Sequence, residues 1–314
     1  MSRFHKLGTL AMQRRAACSL MISQALIVFT GSVVRVTGSG LGCPTWPNCQ
    51  EDSLVPVAGA RPAIHQAIEF GNRLLTFVLA AFAVWAIIAV YSAARRKDIK
   101  VLAWVQLAGI GVQAVIGGIS VLLDLRWWAV AAHFLPSMIL VWLAAVLWVR
   151  IDESDDSEPR QIFPRPLQYL AALTGAALAL VLITGTMTTG AGPHAGDDLA
   201  GQQGRLNVDI AEMAHVHAHF MYLFLGLTIG LVIALYTVNV GKHPRRIGFW
   251  LIAMIVVQGA IGIIQYRFGV PTWTVPVHVG LSGAVVGITG CLYAHGRRRS
   301  PNPGAKSFDK EALV

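Results

Sequence analysis

Long apolar runs alternate with short polar ones along this chain, and the apolar runs are longer than a soluble core requires. A helix needs about 20 mostly apolar residues to cross a bilayer. Eight stretches have that character, near residues 17–37, 66–91, 101–122, 128–149, 167–188, 212–240, 247–265 and 274–294. The first is too long for a signal-peptide core and runs into glycine-rich chain instead of a small-residue cleavage site, which predicts a retained helix. The pattern predicts an all-α, polytopic membrane protein with eight transmembrane helices.

Composition points the same way. Of 314 residues, 55% are apolar and 13% are charged, against about 25% charged in an ordinary soluble domain. Mean hydropathy is +0.58. These values exclude a soluble globular enzyme, a disordered chain and a small disulfide scaffold.

The net charge of +9 suggests nucleic acid only until its location is read. Nineteen of the 25 Lys and Arg fall in five segments: the N-terminus, the loops after the second, fourth and sixth spans, and the C-terminus. With eight spans, all five lie on one side. The positive-inside rule then puts both termini in the cytoplasm of a cell-membrane protein surrounded by lipid. The charge excess is topological, and a nucleic-acid partner is not expected.

The acidic run from Asp152 to Glu158 divides the chain. Slid back by 145 positions, the second half matches the first at Gln258 on Gln113, Ile261 on Ile116, Gly262 on Gly117 and Ile264 on Ile119. Trp273 falls on Trp128, Val275 on Val130, His278 on His133 and Ser282 on Ser137. Eight of 25 positions therefore agree without a gap, where biased composition alone gives about two or three. This predicts two pseudo-symmetric four-helix bundles, 1–151 and 167–314, joined by a cytoplasmic linker at 152–166. Bundles of this kind build cofactor sites between facing helices.

Six of the 10 histidines, His65, His133, His215, His217, His219 and His278, lie at the outer ends of even-numbered helices. Polar rings inside a bilayer are expensive and usually functional. His133 and His278 superpose in the repeat, each about 9 Å into its helix at 1.5 Å per residue. His215 and His219 are four apart and share a face, a spacing that also suits zinc. No Glu lies between them, however, and no third ligand is evident. The repeat places His217 on Asn72, three residues after Glu69, which favours His217 as the partner of His278. Two histidines on neighbouring helices at matching depth suit bis-imidazole haem. Without a C-x-x-C-H motif, the haem would be non-covalent.

The stretch Gly31 to Cys49, GSVVRVTGSGLGCPTWPNC, resembles the first-helix and loop signature of the haem A synthases. Glu69-Phe-Gly-Asn72-Arg73 is similar to that family's E-x-x-H-R, and Thr189 to Asp197 resembles its fifth-helix exit. The resemblance covers nearly the whole chain. It implies oxidation of a methyl of haem O to the formyl of haem A for a terminal oxidase. It implies substrate haem O in the first half and a permanent haem b in the second. Ligand roles fall on His133, His217 and His278, and a catalytic role on Glu69. Partners would include a haem O synthase and oxidase assembly factors, with self-association open.

Asn72 departs from the family motif, which has His there. Asn is a poor iron ligand. His65 lies seven residues earlier on the same face, but about 10 Å away along the axis. A five-coordinate haem through His133 is the simpler alternative.

Glu69 is the one carboxylate well inside a span, and burial would suit it to proton relay. The competing reading is a salt bridge to Arg73 at i+4. Arg35 and Arg73 are membrane-embedded and suited to haem propionates, unless they only snorkel outward. Cys43 and Cys49 share the first outer loop, where an oxidising compartment permits a disulfide. A metal site is less favoured there, since no second Cys pair exists. Two readings compete with the enzyme. One is a di-haem b-type electron carrier, which would need neither Glu69 nor the Cys loop. The other is a transporter, suggested by the repeat alone.

Overall fold

The computed structural model describes residues 8–194 and 204–299. Among them are α1 (Leu10–Val36), α2 (Ala63–Ser92), α3 (Lys97–Leu122), α4 (Trp127–Ile151), α5 (Arg165–Ala191), α6 (Ile210–Thr237), α7 (Lys242–Arg267) and α8 (Thr274–Ala294). All eight are long and apolar enough to cross a membrane. The chain is a multi-pass membrane protein, as its hydropathy pattern requires.

Most helices begin before their apolar runs. α1 starts at Leu10, where the Thr9 hydroxyl accepts from the Met12 N–H at 3.3 Å. α6 starts after Asp209, whose carboxylate accepts from the Glu212 N–H at 2.8 Å. These caps satisfy N–H groups that the first turn leaves orphaned. Hydropathy misses the polar turns because they lie beyond the apolar layer.

Two large apolar cores form among the described residues, with a small third cluster between α4 and α8 around Ala145 and Cys291. One gathers Leu20 of α1, Leu79 and Ala83 of α2, Ile99 and Ile110 of α3 and Leu147 of α4. The other gathers Leu178 of α5, Phe224 and Leu231 of α6, Leu251 and Ile255 of α7 and Val285 of α8. Val28 of α1 and Val141 of α4 belong to this second core, so α1 and α4 reach across the seam. There α8 packs against both. Its Gly283 lies so close to α1 that an added Cβ would stand 3.3 Å from the Ala25 Cα. Gly290 meets the Trp142 carbonyl of α4 in the same way. Small residues permit this approach where lipid supplies no hydrophobic drive between helices. Large apolar side chains such as Phe77 and Phe268 face outward instead.

The basic end is tightly bonded. The segment predicted as a linker after α4 is a knot of ion pairs. Asp152 pairs with Arg14, Glu153 with Arg96, and Asp155 with Arg95. Arg95 is buried and also donates to the Ile151 and Glu153 carbonyls. A short strand, β1 (Pro159–Gln161), pairs antiparallel with β2 (Arg297–Arg299) beyond α8. The segments after α2, after α4 and after α8 therefore meet at one end, together with the start of α1, as an even number of crossings between them demands.

Candidate functional site

At the opposite end, the loop between α1 and α2 folds over the first core. Cys43 and Cys49 form a disulfide, and both residues are fully buried. Trp46, between them, packs flat on α3: an added Cβ at Gly118 would stand 2.2 Å from its ring. Position 118 must therefore be glycine for the indole to seat. The loop also touches α2 at Gly42, where an added Cβ would strike the His65 backbone at 2.5 Å.

Glu69 joins this loop to α2. Its Oε2 accepts from the Cys43 N–H at 2.6 Å, and its Oε1 accepts from Arg73 at 2.7 Å. Arg73 further donates to the carbonyls of Cys43, Thr45 and Asn48. The salt bridge weighed from the i,i+4 spacing is thus present. Arg73 is engaged by the loop, which leaves Arg35 as the freer of the two cations. Arg35 donates to the Thr189 carbonyl of α5 at 3.0 Å, while its buried Nε has no partner among the described residues.

Beside the second core, the rings of His217 on α6 and His278 on α8 meet edge to face, with centroids 6.3 Å apart and planes at 70°. His217 Nδ1 lies 3.0 Å from the Val181 carbonyl and 3.3 Å from the Thr184 hydroxyl. The carbonyl can only accept, so Nδ1 carries the proton and Nε2 keeps its lone pair. This is the tautomer that a metal needs, oriented by a bond on the far nitrogen. Two neighbouring imidazoles, one of them already in the liganding tautomer, are a donor set of the kind a haem iron takes, and His217 and His278 would hold it. Among the described residues, no group of three or more His, Cys, Asp or Glu gathers as a metal cage.

His133 of α4 has the same setting as His278. Gln113 donates to the His133 carbonyl at 2.9 Å, and Gln258 to the His278 carbonyl at 3.0 Å. Both ring Nδ1 atoms and both glutamine Oε1 atoms are buried without partners among the described residues. Asn72 of α2 takes a 2.8 Å hydrogen bond from the Thr30 hydroxyl of α1. His65 is partly exposed at the start of α2.

The other histidines are elsewhere. His215 is exposed and packs on Tyr266, and His219 is exposed. His194 bonds the Val270 carbonyl, and His243 stacks on His295 at the basic end. Asp197, part of the fifth-helix exit motif, lies outside the described residues.

The family of cytochrome oxidase assembly proteins designated COX15-CtaA matches residues 14–289. The chain belongs to this family. Among curated COX15-CtaA relatives, the heme A synthase of Staphylococcus epidermidis is 24% identical, over 77% of this chain and 83% of its own. That of Staphylococcus aureus is 25% identical, over 77% and 88%. That of Geobacillus thermodenitrificans is 30% identical over a shorter stretch, 36% of this chain and 35% of its own. Against four such relatives, the chain spans about a third to a half of their length.

Three features of this COX15-CtaA chain escaped the sequence reading. Thr30-Gly31 and Thr184-Gly185 are the same dipeptide 154 positions apart, and their threonines approach Asn72 and His217. Arg205, whose buried Nε is also unpartnered, acts electrostatically on Arg35. Trp46 gave no pattern, because its partner is a glycine on another helix.

Proposed function

We propose that this chain is a haem A synthase, oxidising a porphyrin methyl of haem O to the formyl of haem A. Family membership and the names of the relatives support this class. The observation that carries it is the His217–His278 pair, two neighbouring imidazoles with His217 in the liganding tautomer. In this reading haem b lies between those two residues, and substrate haem O lies against His133 in the first half. Bound haem b supplies one-electron redox capacity beside the substrate.

The protein's own groups do the rest. Gln113 and Gln258 fix the backbone of the ligand histidines. Arg35 and Arg205, each with an unpartnered buried Nε, suit porphyrin propionates through charge-assisted bonds. The disulfide loop and Trp46 exclude water from the outer mouth of the first core. Glu69 is the buried carboxylate beside that mouth, and oxidation of a methyl releases protons. Its Oε2, held by the Cys43 N–H, is the relay atom in this reading. The outer loop of the second half has no cysteine, so the disulfide-pinned loop is particular to the first half, which favours an enzyme over a symmetric electron carrier.

The reading includes two units, 1–151 and 167–314, joined by 152–166, with the basic end in the cytoplasm of the cell membrane. Haem O synthase and oxidase assembly factors are its expected partners. Two experiments test it. His278→Ala should abolish the low-spin haem b spectrum of the purified protein while His215→Ala leaves it. Membranes that also make haem O should gain haem A, and haem O left unconverted would contradict the proposal.

A further inference from the structure

Four glycines mark equivalent corners of the two halves. Gly31, Gly117, Gly185 and Gly262 lie on α1, α3, α5 and α7, and each helix precedes one carrying a candidate ligand position. An added Cβ at Gly117 would stand 3.1 Å from the His133 ring, at Gly185 3.1 Å from the His217 ring, and at Gly262 3.8 Å from the His278 ring. At Gly31 it would meet nothing within 4 Å.

The Gly31 corner is otherwise built like the Gly185 corner. Thr184 approaches the His217 ring nitrogen at 3.3 Å, and Thr30 approaches the Asn72 amide oxygen at 2.8 Å. The threonine–glycine step is the same, and the side chain facing it differs. Where the second half places an imidazole over its glycine, the first half places a shorter amide and leaves the space above Gly31 open. The Thr30 bond occupies one end of that amide. The NH2 end makes no hydrogen bond to the described residues.

We propose that, if the haem reading above holds, the first-half haem is ligated by His133 alone. The space between Gly31, Thr30 and Asn72 then receives a small neutral ligand: water, dioxygen or carbon monoxide. The chemistry follows from the parts. An amide is a poor iron ligand but a good donor to a ligand's outer oxygen. Distal donors and steric access decide whether a haem binds small molecules or only passes electrons. His217 closes that position in the second half, and Asn72 leaves it open in the first. The two halves thereby divide into a closed electron site and an open ligand site.

The test uses the full-length protein, purified from cells that also make haem O, and carbon monoxide as the probe. On reduction, carbon monoxide should shift the Soret band of the O- or A-type haem and leave haem b unchanged. Asn72→His should supply the missing imidazole, make that haem low-spin and weaken carbon monoxide binding by about tenfold or more. Gly31→Leu fills the same space without touching Asn72 and should also weaken binding. His133→Ala should remove the reactive fraction.

A wild-type protein that holds O- or A-type haem but ignores carbon monoxide would overturn the inference. So would both Asn72→His and Gly31→Leu binding it as the wild type does. Reactivity gained only in His65→Ala would show that His65 fills the position, which also overturns it. A preparation with no haem of any kind would instead overturn the haem reading on which the inference rests.

Discussion

Gln258 donates from its amide to the backbone carbonyl of His278 at 3.0 Å, and 145 positions earlier Gln113 does the same for His133 at 2.9 Å. A helix-interior carbonyl already has its backbone partner. The added amide bond therefore ties α7 to α8, and α3 to α4, at the level of the candidate ligand. The bond holds the stretch of backbone that carries the ring. Gln258→Leu should therefore lower haem b retention in detergent, read as pyridine haemochrome per protein. Gln113→Leu should spare haem b and lower retention of the substrate haem. Full haem b content in Gln258→Leu would remove the glutamine from the account.

Loop anchoring by Glu69 and the proton relay proposed for it are separated by one substitution. Glu69→Gln keeps a carbonyl oxygen for the Cys43 N–H but removes the titratable group. The variant should keep haem b and its disulfide while accumulating haem O or the hydroxymethyl intermediate. Haem A at wild-type levels would reduce Glu69 to an anchor for the loop. Loss of all haem would assign it to folding.

The loop itself depends on Arg73, which ties together Glu69 and three loop carbonyls. Arg73→Leu leaves the buried Glu69 carboxylate without its counter-charge, a change that costs about 3–5 kcal/mol in comparable settings. Thermal unfolding should move down markedly, and a protease should cut between residues 43 and 62 sooner than in the wild type. Mass spectrometry of non-reduced wild-type digests should recover Cys43 linked to Cys49.

Much of this architecture is legible in the sequence, and the reasons differ by feature. The eight spans follow from the length of the apolar runs, and the Cys43–Cys49 bond from their shared outer loop. The choice of His217 over His215 and His219 as the neighbour of His278 came from one shift of 145 positions, and the structure brings those two rings together. The same shift fails at α1, so the correspondence of Gly31 with Gly185 stayed hidden until both helices had neighbours. The engagement of Glu69 with the Cys43 N–H was also out of reach, because it joins a helix to a loop 26 residues away. The acidic run at 152–158 reads as a linker, but its position gives no hint that Asp152, Glu153 and Asp155 bind arginines from three other segments, which charge counting alone cannot pair.

His295, just past the end of α8, gives a pH signature. Burial holds its pKa down at about 4, aided by repulsion from Arg298, His243 and Arg150 and opposed by its bond to the Cys291 carbonyl. The folded value lies below the ordinary 6.5, so the unfolded chain takes up the proton first. This residue's contribution to stability is complete above about pH 6.5 and is lost as pH falls toward 4. Wild-type protein should lose melting temperature over that interval faster than His295→Gln. Parallel curves would show that the ring is protonated, or absent from the balance, in the folded state.

Conversion of haem O to haem A is the activity proposed for this chain, and pigment analysis reads it out. The chain is co-expressed with a haem O synthase in cells that lack their own haem A, and pigments extracted from the purified protein are separated and weighed by mass spectrometry. The account predicts haem b together with haem A, and loss of haem A but not haem b in Glu69→Gln. Haem b beside unconverted haem O in the wild-type protein would contradict it.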